Sequence, residues 1–185
     1  MPNHVYNSVT FNGDAHALTR IMKKLGMPHT LSEGMPQFNF YNLIEPSDIA
    51  WYKSTDEGHT DNWYNWRIAN WGTKWNAYDV NMCRSDDNQA LAYDFSTAWS
   101  QPTGIIMALV DYMVEERFDV SMDWIFEEEQ GWGGEYHYDL ATGMSVVQEW
   151  DIPETHHELV ERKGTCYCEG ENPIFYDCPG AQQDE

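Results

Sequence analysis

The strongest candidate for chemistry in this 185-residue chain is a group of carboxylates in its second half. Polar and apolar residues alternate over 118–129, which predicts a strand with one buried face and one largely acidic face. On the acidic side, alternate positions would lie about 6–7 Å apart, comparable with neighbouring charges along a nucleic-acid strand. This surface would attract a basic partner, although solubility or a high-salt host also favours acidic surfaces. With the preceding helix, the predicted partner-binding residues are Asp111, Glu115, Glu116, Asp119, Asp123, Glu127 and Glu129.

A second candidate is a tryptophan-rich region in the middle of the chain. Exposed indoles could stack a nucleobase while a nearby cation meets its phosphate, giving a nucleotide-binding protein or an enzyme. The alternative is a core of large aromatic rings with Lys74 and Arg67 lying over it. The predicted ligand site consists of Trp71, Lys74, Trp75, Trp99 and Glu135.

The cysteines near the end of the chain could chelate zinc. Cys166, Cys168 and Cys178, with His157 as the fourth ligand, provide suitable donors, but the C-x-C spacing fits the usual knuckle turn poorly. Inert thiols are therefore the alternative, and a bound zinc would stabilise this segment rather than catalyse a reaction. Cys83 is expected to be buried in a strand, and no disulfide is expected.

No catalytic motif accompanies these residues. The chain has no nucleophile elbow, P-loop, H-E-x-x-H helix or Gly-rich dinucleotide turn. The glycines of 131–134 follow three glutamates that would repel phosphate, so they predict a turn between two strands. His137 shares a strand parity with Glu135 and Asp139, without a nucleophile nearby in sequence. We therefore expect a protein that is not an enzyme and needs no cofactor other than a possible zinc.

The overall charge restricts the classes of partner. Lys and Arg total 10 against 31 Asp and Glu, a formal net charge of −21. Residues 1–84 carry a net −1 and residues 85–185 a net −20. So anionic a chain is not expected to bind nucleic acid directly or to attach to anionic lipid. Its 15% aromatic content excludes a disordered acidic tail and predicts a folded domain.

The order of predicted elements indicates a fold. A strand over 4–11 is followed by a helix that begins after Asp14 and ends at Gly26, with Leu18, Ile21 and Leu25 on its apolar face. An extended segment over 38–44, a short helix over 63–71, strands over 75–83 and 91–96, and a helix after residue 102 come next. The acidic strand and two further strands over 135–140 and 144–150 complete the order. This order predicts an α+β fold, a ferredoxin-like split β-α-β sandwich of an antiparallel sheet with helices on one face, plus an extra hairpin and a C-terminal extension.

Four segments of the chain carry a recognisable pattern. They are the opening Met-Pro-Asn-His with Asn7, the stretch Asn-Trp-Gly-Thr-Lys-Trp-Asn-Ala at 70–77, Phe-Ser-Thr-Ala-Trp-Ser at 95–100, and Gly-Trp-Gly-Gly-Glu at 131–135. Together they resemble the YubB ferredoxin-like family of phage and plasmid proteins. The resemblance implies a ferredoxin-like fold and an origin on a mobile genetic element, and it brings no catalytic residues. We expect a YubB-like domain over 1–152 and an acidic, cysteine-containing extension over 153–185.

The charge asymmetry and the mobile-element resemblance lead to one hypothesis of function. We expect an anti-defence protein, of the anti-CRISPR or anti-restriction type, that blocks a bacterial immune effector through a surface mimicking nucleic acid. The N-terminus has no secretory leader and no apolar run could span a membrane, so the expected location is the cytoplasm of the bacterial host. The rival hypotheses are the nucleotide-binding protein and a structural module of the mobile element.

Overall fold

The computed structural model describes residues 3–26, 37–46 and 63–152, together with residue 158. Strands and helices alternate along the described ranges much as the sequence predicts. The elements are β1 (His4–Gly13), α1 (Ala15–Leu25), a 3-10 helix (Phe40–Asn42), α2 (Trp63–Trp71), β2 (Tyr78–Arg84), β3 (Ala90–Ala98), α3 (Thr103–Glu115), β4 (Val120–Glu128), β5 (Gly133–Asp139) and β6 (Gly143–Trp150).

The strands form one antiparallel sheet in the order β2-β3-β1-β4-β5-β6. β3 separates the two strands joined through α1, and β1 separates the two strands joined through α3. These two split β-α-β units define the ferredoxin-like fold. The β5–β6 hairpin extends the sheet beyond β4. The predicted α+β, ferredoxin-like fold and its added hairpin are confirmed.

Alternation along the central strands places the core on one face of the sheet. Val5, Val9 and Phe11 of β1 are buried, and they belong to the same core as Trp124 of β4 and Leu109 of α3. Residues of the opposite parity point away from the helices because successive side chains of a strand leave opposite faces. The helices therefore cover one face, and we call the uncovered one the open face.

The first helix begins and ends as the sequence predicts. The Asp14 carboxylate accepts hydrogen bonds from the backbone N–H groups of His16 (2.8 Å) and Ala17 (3.4 Å), which otherwise have no partner in the first helical turn. Gly26 follows the helix with φ 95°, a left-handed conformation that glycine adopts without a steric penalty. These caps fix the position of α1 on the covered face.

Three local predictions are wrong in part. The segment 38–44 contains the 3-10 helix, because the Asn39 side chain accepts a hydrogen bond from the Tyr41 N–H and starts a turn. The strand predicted from residue 75 begins at Tyr78. Cys83 is exposed rather than buried, because β2 is an edge strand and Cys83 pairs with Ala92 on the open face.

Among the described helices, none is both long and apolar enough to cross a membrane.

A buried asparagine joins the three central strands. Asn7 of β1 donates through Nδ2 to the Val5 carbonyl (2.9 Å) and to Thr97 Oγ1 of β3 (3.1 Å). Its Oδ1 accepts from the indole Nε1 of Trp124 on β4 (3.2 Å). Each polar atom of this cluster has a partner, so the amide satisfies a buried indole N–H that an apolar residue would leave unpaired.

We predict that Asn7→Leu lowers the free energy of unfolding by about 1–3 kcal/mol, since the buried Trp124 N–H and Thr97 hydroxyl both lose a partner. Chemical denaturation of the purified protein measures this loss. Asn12→Leu, on an exposed position of the same strand, is the matched control and should change stability by less than about 0.5 kcal/mol. Equal losses in the two variants would contradict the assigned role of the asparagine.

Candidate functional site

The open face presents two large apolar side chains near the centre of the sheet. Tyr6 of β1 and Ile125 of β4 are 56% and 44% exposed. Tyr6 pairs across the strands with Ser96 and Glu127, so an aromatic ring stands directly beside a carboxylate. No described helix covers this face, and both side chains are exposed to solvent.

Carboxylates surround this apolar centre. They come from four strands of the sheet, and no strand of the described chain places a Lys or Arg among them. The one Lys or Arg in the described strands is Arg84, which is turned to the other side and donates to the carbonyl of Ala15 (2.9 Å) and to Thr19 Oγ1 (3.1 Å) of α1. The acidic residues of the open face are Asp79, Asp94, Asp123, Glu127, Glu135 and Asp139.

A shallow depression of about 420 Å³ lies on the open face and is lined by residues of β1, β2, β3 and β4. Its lining includes Tyr6, Ile125 and three acidic residues, Asp79, Asp94 and Glu127. A guanidinium or ammonium group could stack on the tyrosine ring while its N–H groups reach the carboxylates. The geometry is thus suited to cationic side chains rather than to anions.

A histidine partly neutralises the acidic face next to the depression. His137 Nδ1 lies 2.6 Å from Asp123 Oδ1 across the β4–β5 pair, and Nε2 lies 3.5 Å from Asp139 Oδ2. The hydrogen bond with Asp123 raises the pKa of His137, assisted by the charges of Asp123 and Asp139. The hydroxyl of Thr142 lowers the pKa of Asp139, which favours the ionised form of that carboxylate beside the His137 ring.

The end of the open face carries a second histidine contact. His4 Nδ1 lies 2.5 Å from the hydroxyl of Tyr78, which also donates to the Thr97 carbonyl (3.2 Å). Burial raises the pKa of Tyr78 to about 12, and the charges of Asp79 and Glu129 act in the same direction. The tyrosine therefore remains a neutral hydrogen-bonding group at ordinary pH.

The predicted acidic surface is divided between two sides of the molecule. Asp123 and Glu127 lie on the open face, and Asp119 and Glu129 lie just before and just after β4. The other three, Asp111, Glu115 and Glu116, belong to the layer of α3, whose apolar side packs on the covered face; Glu116 also forms an ion pair with Arg20 of α1 (2.7 Å). Along β4, Asp123 and Glu127 are four residues apart, about 13 Å at the rise of a strand, and the alternate position between them is the apolar Ile125 rather than a carboxylate.

The predicted tryptophan site is also divided. Trp71 is fully buried, where it packs against Phe40 and Tyr41 and its Nε1 donates to the Ile44 carbonyl (3.2 Å), so it belongs to the core. Lys74, Trp75 and Trp99 do come together: the lysine Nζ lies 4.4 Å from the ring centroid of Trp99 and 5.2 Å from that of Trp75. Glu135 lies on β5, where it pairs with Ile125 of the open face, apart from this group.

The predicted zinc ligands, Cys166, Cys168, Cys178 and His157, lie outside the described residues. Within the described part of the chain, no three His, Cys, Asp or Glu side chains are arranged to hold a metal ion.

Three residues of the open face were not among the predicted site residues. The alternation of polar and apolar residues along β1 and β3 is a signal that Tyr6 and Asp94 point outward. That they lie close to Glu127 depends on the register of β1 with its two neighbouring strands. Asp79 has φ 53° at an irregularity in β2, and the sequence contains no signal for that position.

Fold and topology place the chain among the α+β proteins with a ferredoxin-like sheet. Residues 77–178, more than half of the chain, match the family model for the ferredoxin-like domain in Api92-like protein, so the chain belongs to that family. The match continues past residue 152, where we expected a domain boundary, and that boundary remains a prediction.

Among solved structures, the protein api92 from Yersinia pseudotuberculosis is similar in fold. The two chains share 8% sequence identity with a TM-score of 0.49, and the superposition covers 82% of this chain and all of that one. A comparison with curated proteins finds no match.

We predict that His137→Gln costs more stability in acid than in base. Folding raises the pKa of His137 above its ordinary value of 6.5, so its contribution is fully present below about pH 6.5 and is lost as pH rises through the folded pKa. Denaturation of both proteins at about pH 5.5 and about pH 8.5 measures the difference.

Variants of the two aspartates show which contact raises the pKa of His137. Asp123→Asn removes the shorter contact and should lower the pKa of His137, followed by NMR, more than Asp139→Asn does. A stability difference independent of pH, or an unchanged pKa in Asp123→Asn, would contradict the assignment.

Proposed function

We propose that this protein binds a basic, nucleic-acid-handling protein through the open face of its sheet. The observation that carries the proposal is the separation of charge in the described strands. Carboxylates of β2, β3, β4 and β5 share the uncovered face, while the one strand arginine is turned towards α1. Such an arrangement opposes folding through self-repulsion and attracts a complementary basic surface from a distance.

The apolar centre of the face supports a specific contact rather than a diffuse one. Tyr6 and Ile125 are the side chains that a partner would desolvate, and interface energy is concentrated in such buried aromatic and apolar contacts. Lys or Arg side chains of the partner would meet Asp94, Glu127 and Glu135 around them. The partner would use the same Lys and Arg side chains to bind this protein and to contact nucleic-acid phosphates. This protein and nucleic acid would therefore compete for the partner.

The finer hypothesis is an anti-defence role, in which the basic partner is a bacterial immune effector of the CRISPR or restriction type. It is supported by the net charge of −21 and by the mobile-element origin implied by the resemblance to the YubB family, which remains a prediction. Within the predicted surface, Asp123 and Glu127 are central to this proposal. Asp111 and Glu115 contribute only long-range attraction, because they lie in the helical layer.

The test is charge reversal on the open face with a matched control on the helices. The variant Asp94→Lys, Glu127→Lys, Glu135→Lys should lose the partner that the wild-type protein captures from bacterial lysate, whereas Asp111→Lys, Glu115→Lys should retain it. Capture should weaken steeply between about 50 mM and about 500 mM salt, since exposed charges are screened. Mass spectrometry identifies the partner, and circular dichroism checks that each variant is folded.

Competition makes the test specific to the proposed mechanism. Added duplex DNA or structured RNA should release the captured protein, because the same basic side chains hold both ligands. A folded open-face variant that still captures the protein would contradict the proposal. So would a captured protein that nucleic acid does not displace.

A further inference from the structure

The end of β3 carries an exposed tryptophan in an unusual backbone conformation. Trp99 has φ 73°, in the left-handed region that bulky residues rarely occupy, and its side chain is 43% exposed. Such a conformation costs energy and persists only where the surrounding structure imposes it. Exposure of a large indole to water is also unfavourable.

Hydrogen bonds hold the backbone on both sides of this residue. The Trp99 N–H donates to the Asn3 carbonyl (2.9 Å), and the Thr73 hydroxyl donates to the Ala98 carbonyl (2.8 Å). The Thr97 hydroxyl donates to the Ser100 carbonyl (2.9 Å), and the Ser100 hydroxyl donates to the Gly72 carbonyl (2.5 Å). The indole is therefore fixed at the surface.

A lysine ammonium lies among the aromatic rings at this point. Lys74 Nζ is 4.4 Å from the ring centroid of Trp99, 5.2 Å from that of Trp75 and 5.7 Å from that of Tyr64. Tyr64 in turn contacts Trp99 edge to face, with centroids 6.2 Å apart. We call these four residues the Lys74 cluster; they come from α2, the loop before β2 and the end of β3.

The ammonium has no carboxylate partner among the described residues. Lys23 and Lys24 of α1 likewise form no ion pair with a described carboxylate, and Lys74 differs from them in having three aromatic rings around its ammonium. The ring contacts stabilise the cation without neutralising it. Because the ammonium lies over one face of the Trp99 indole, a flat ring would stack on the opposite face, and an anionic group on that ring would reach the ammonium past the indole edge.

We infer that the Lys74 cluster is a binding site for a mononucleotide, with the base stacked on Trp99 and the phosphate on the Lys74 ammonium. Stacking alone would serve any aromatic ligand, and the ammonium alone would serve any anion; the two together select a ring that carries a phosphate. A nucleic-acid polymer is disfavoured because the acidic surface repels a long chain of phosphates, whereas one nucleotide adds few charges within the screening length. This site is separate from the acidic residues of the open face and does not depend on the function proposed for them.

The experiment compares adenosine monophosphate with its two halves, adenosine and inorganic phosphate, by isothermal titration calorimetry on the full chain. The monophosphate should bind at least about tenfold more tightly than either half. Trp99→Gly and Lys74→Gln should each weaken its binding by about tenfold or more. The controls are Met107→Ala, an exposed apolar residue of α3, and Lys23→Gln, another lysine; both should bind as the wild type does.

Glycine at position 99 also separates binding from folding. It adopts a positive φ without strain, so Trp99→Gly should keep its melting temperature within about 3 °C of the wild type while it loses the ligand. If that variant fails to fold, Lys74→Gln decides the question, because the lysine makes no ion pair with any described carboxylate. Failure of the monophosphate to bind at millimolar concentration, binding unaffected by Lys74→Gln, or tighter binding of an oligonucleotide would each overturn the inference.

Discussion

Burial on only one face of the sheet is the constraint on which the other features of this structure depend. β1, β3 and β4 alternate between core and outward residues, so Val9 and Trp124 are covered by helices while Tyr6 and Ile125 are not. A register shift of one residue would exchange the two sets. The polar contacts of Asn7 with Thr97 and Trp124 oppose such a shift, because they connect all three strands diagonally across the sheet. The acidic face is therefore a direct consequence of how the core is built.

β3 links the two candidate sites through its backbone. Asp94 points to the open face within the strand, while Trp99 leaves the strand in a left-handed conformation and meets Lys74. One rigid element thus presents an anionic surface for basic groups and, at its end, a cation among aromatic rings. In a protein of charge −21 the second site is distinctive, because three aromatic rings surround its lysine ammonium.

Local sequence signals predicted the elements of this fold, and contacts between distant segments account for what they missed. Asp14 and Gly26 act within one helix, so both caps of α1 could be predicted. Trp71 and Trp99 look alike in the sequence, yet Phe40 and Tyr41 from a distant segment bury the first, and backbone geometry exposes the second. The parity of β4 correctly predicted outward carboxylates at Asp123 and Glu127. The placement of Asp111 and Glu115 on another side depends on how α3 crosses the sheet, which no local pattern encodes. The YubB resemblance, the anti-defence role and the zinc ligands stay predictions.

The central position of β1 has a consequence for synthesis of the chain. β1 is made first, yet its neighbours are β3, which ends at Ala98, and β4, which ends at Glu128. At translation rates of about 5–20 residues per second, this strand waits on the order of ten seconds before both partners have been made. During that time its apolar side chains, among them Val5, Val9 and Phe11, have no sheet to join. Closing such long loops slows folding, and an unpaired apolar strand is prone to aggregation. A sheet built from local hairpins would avoid this delay.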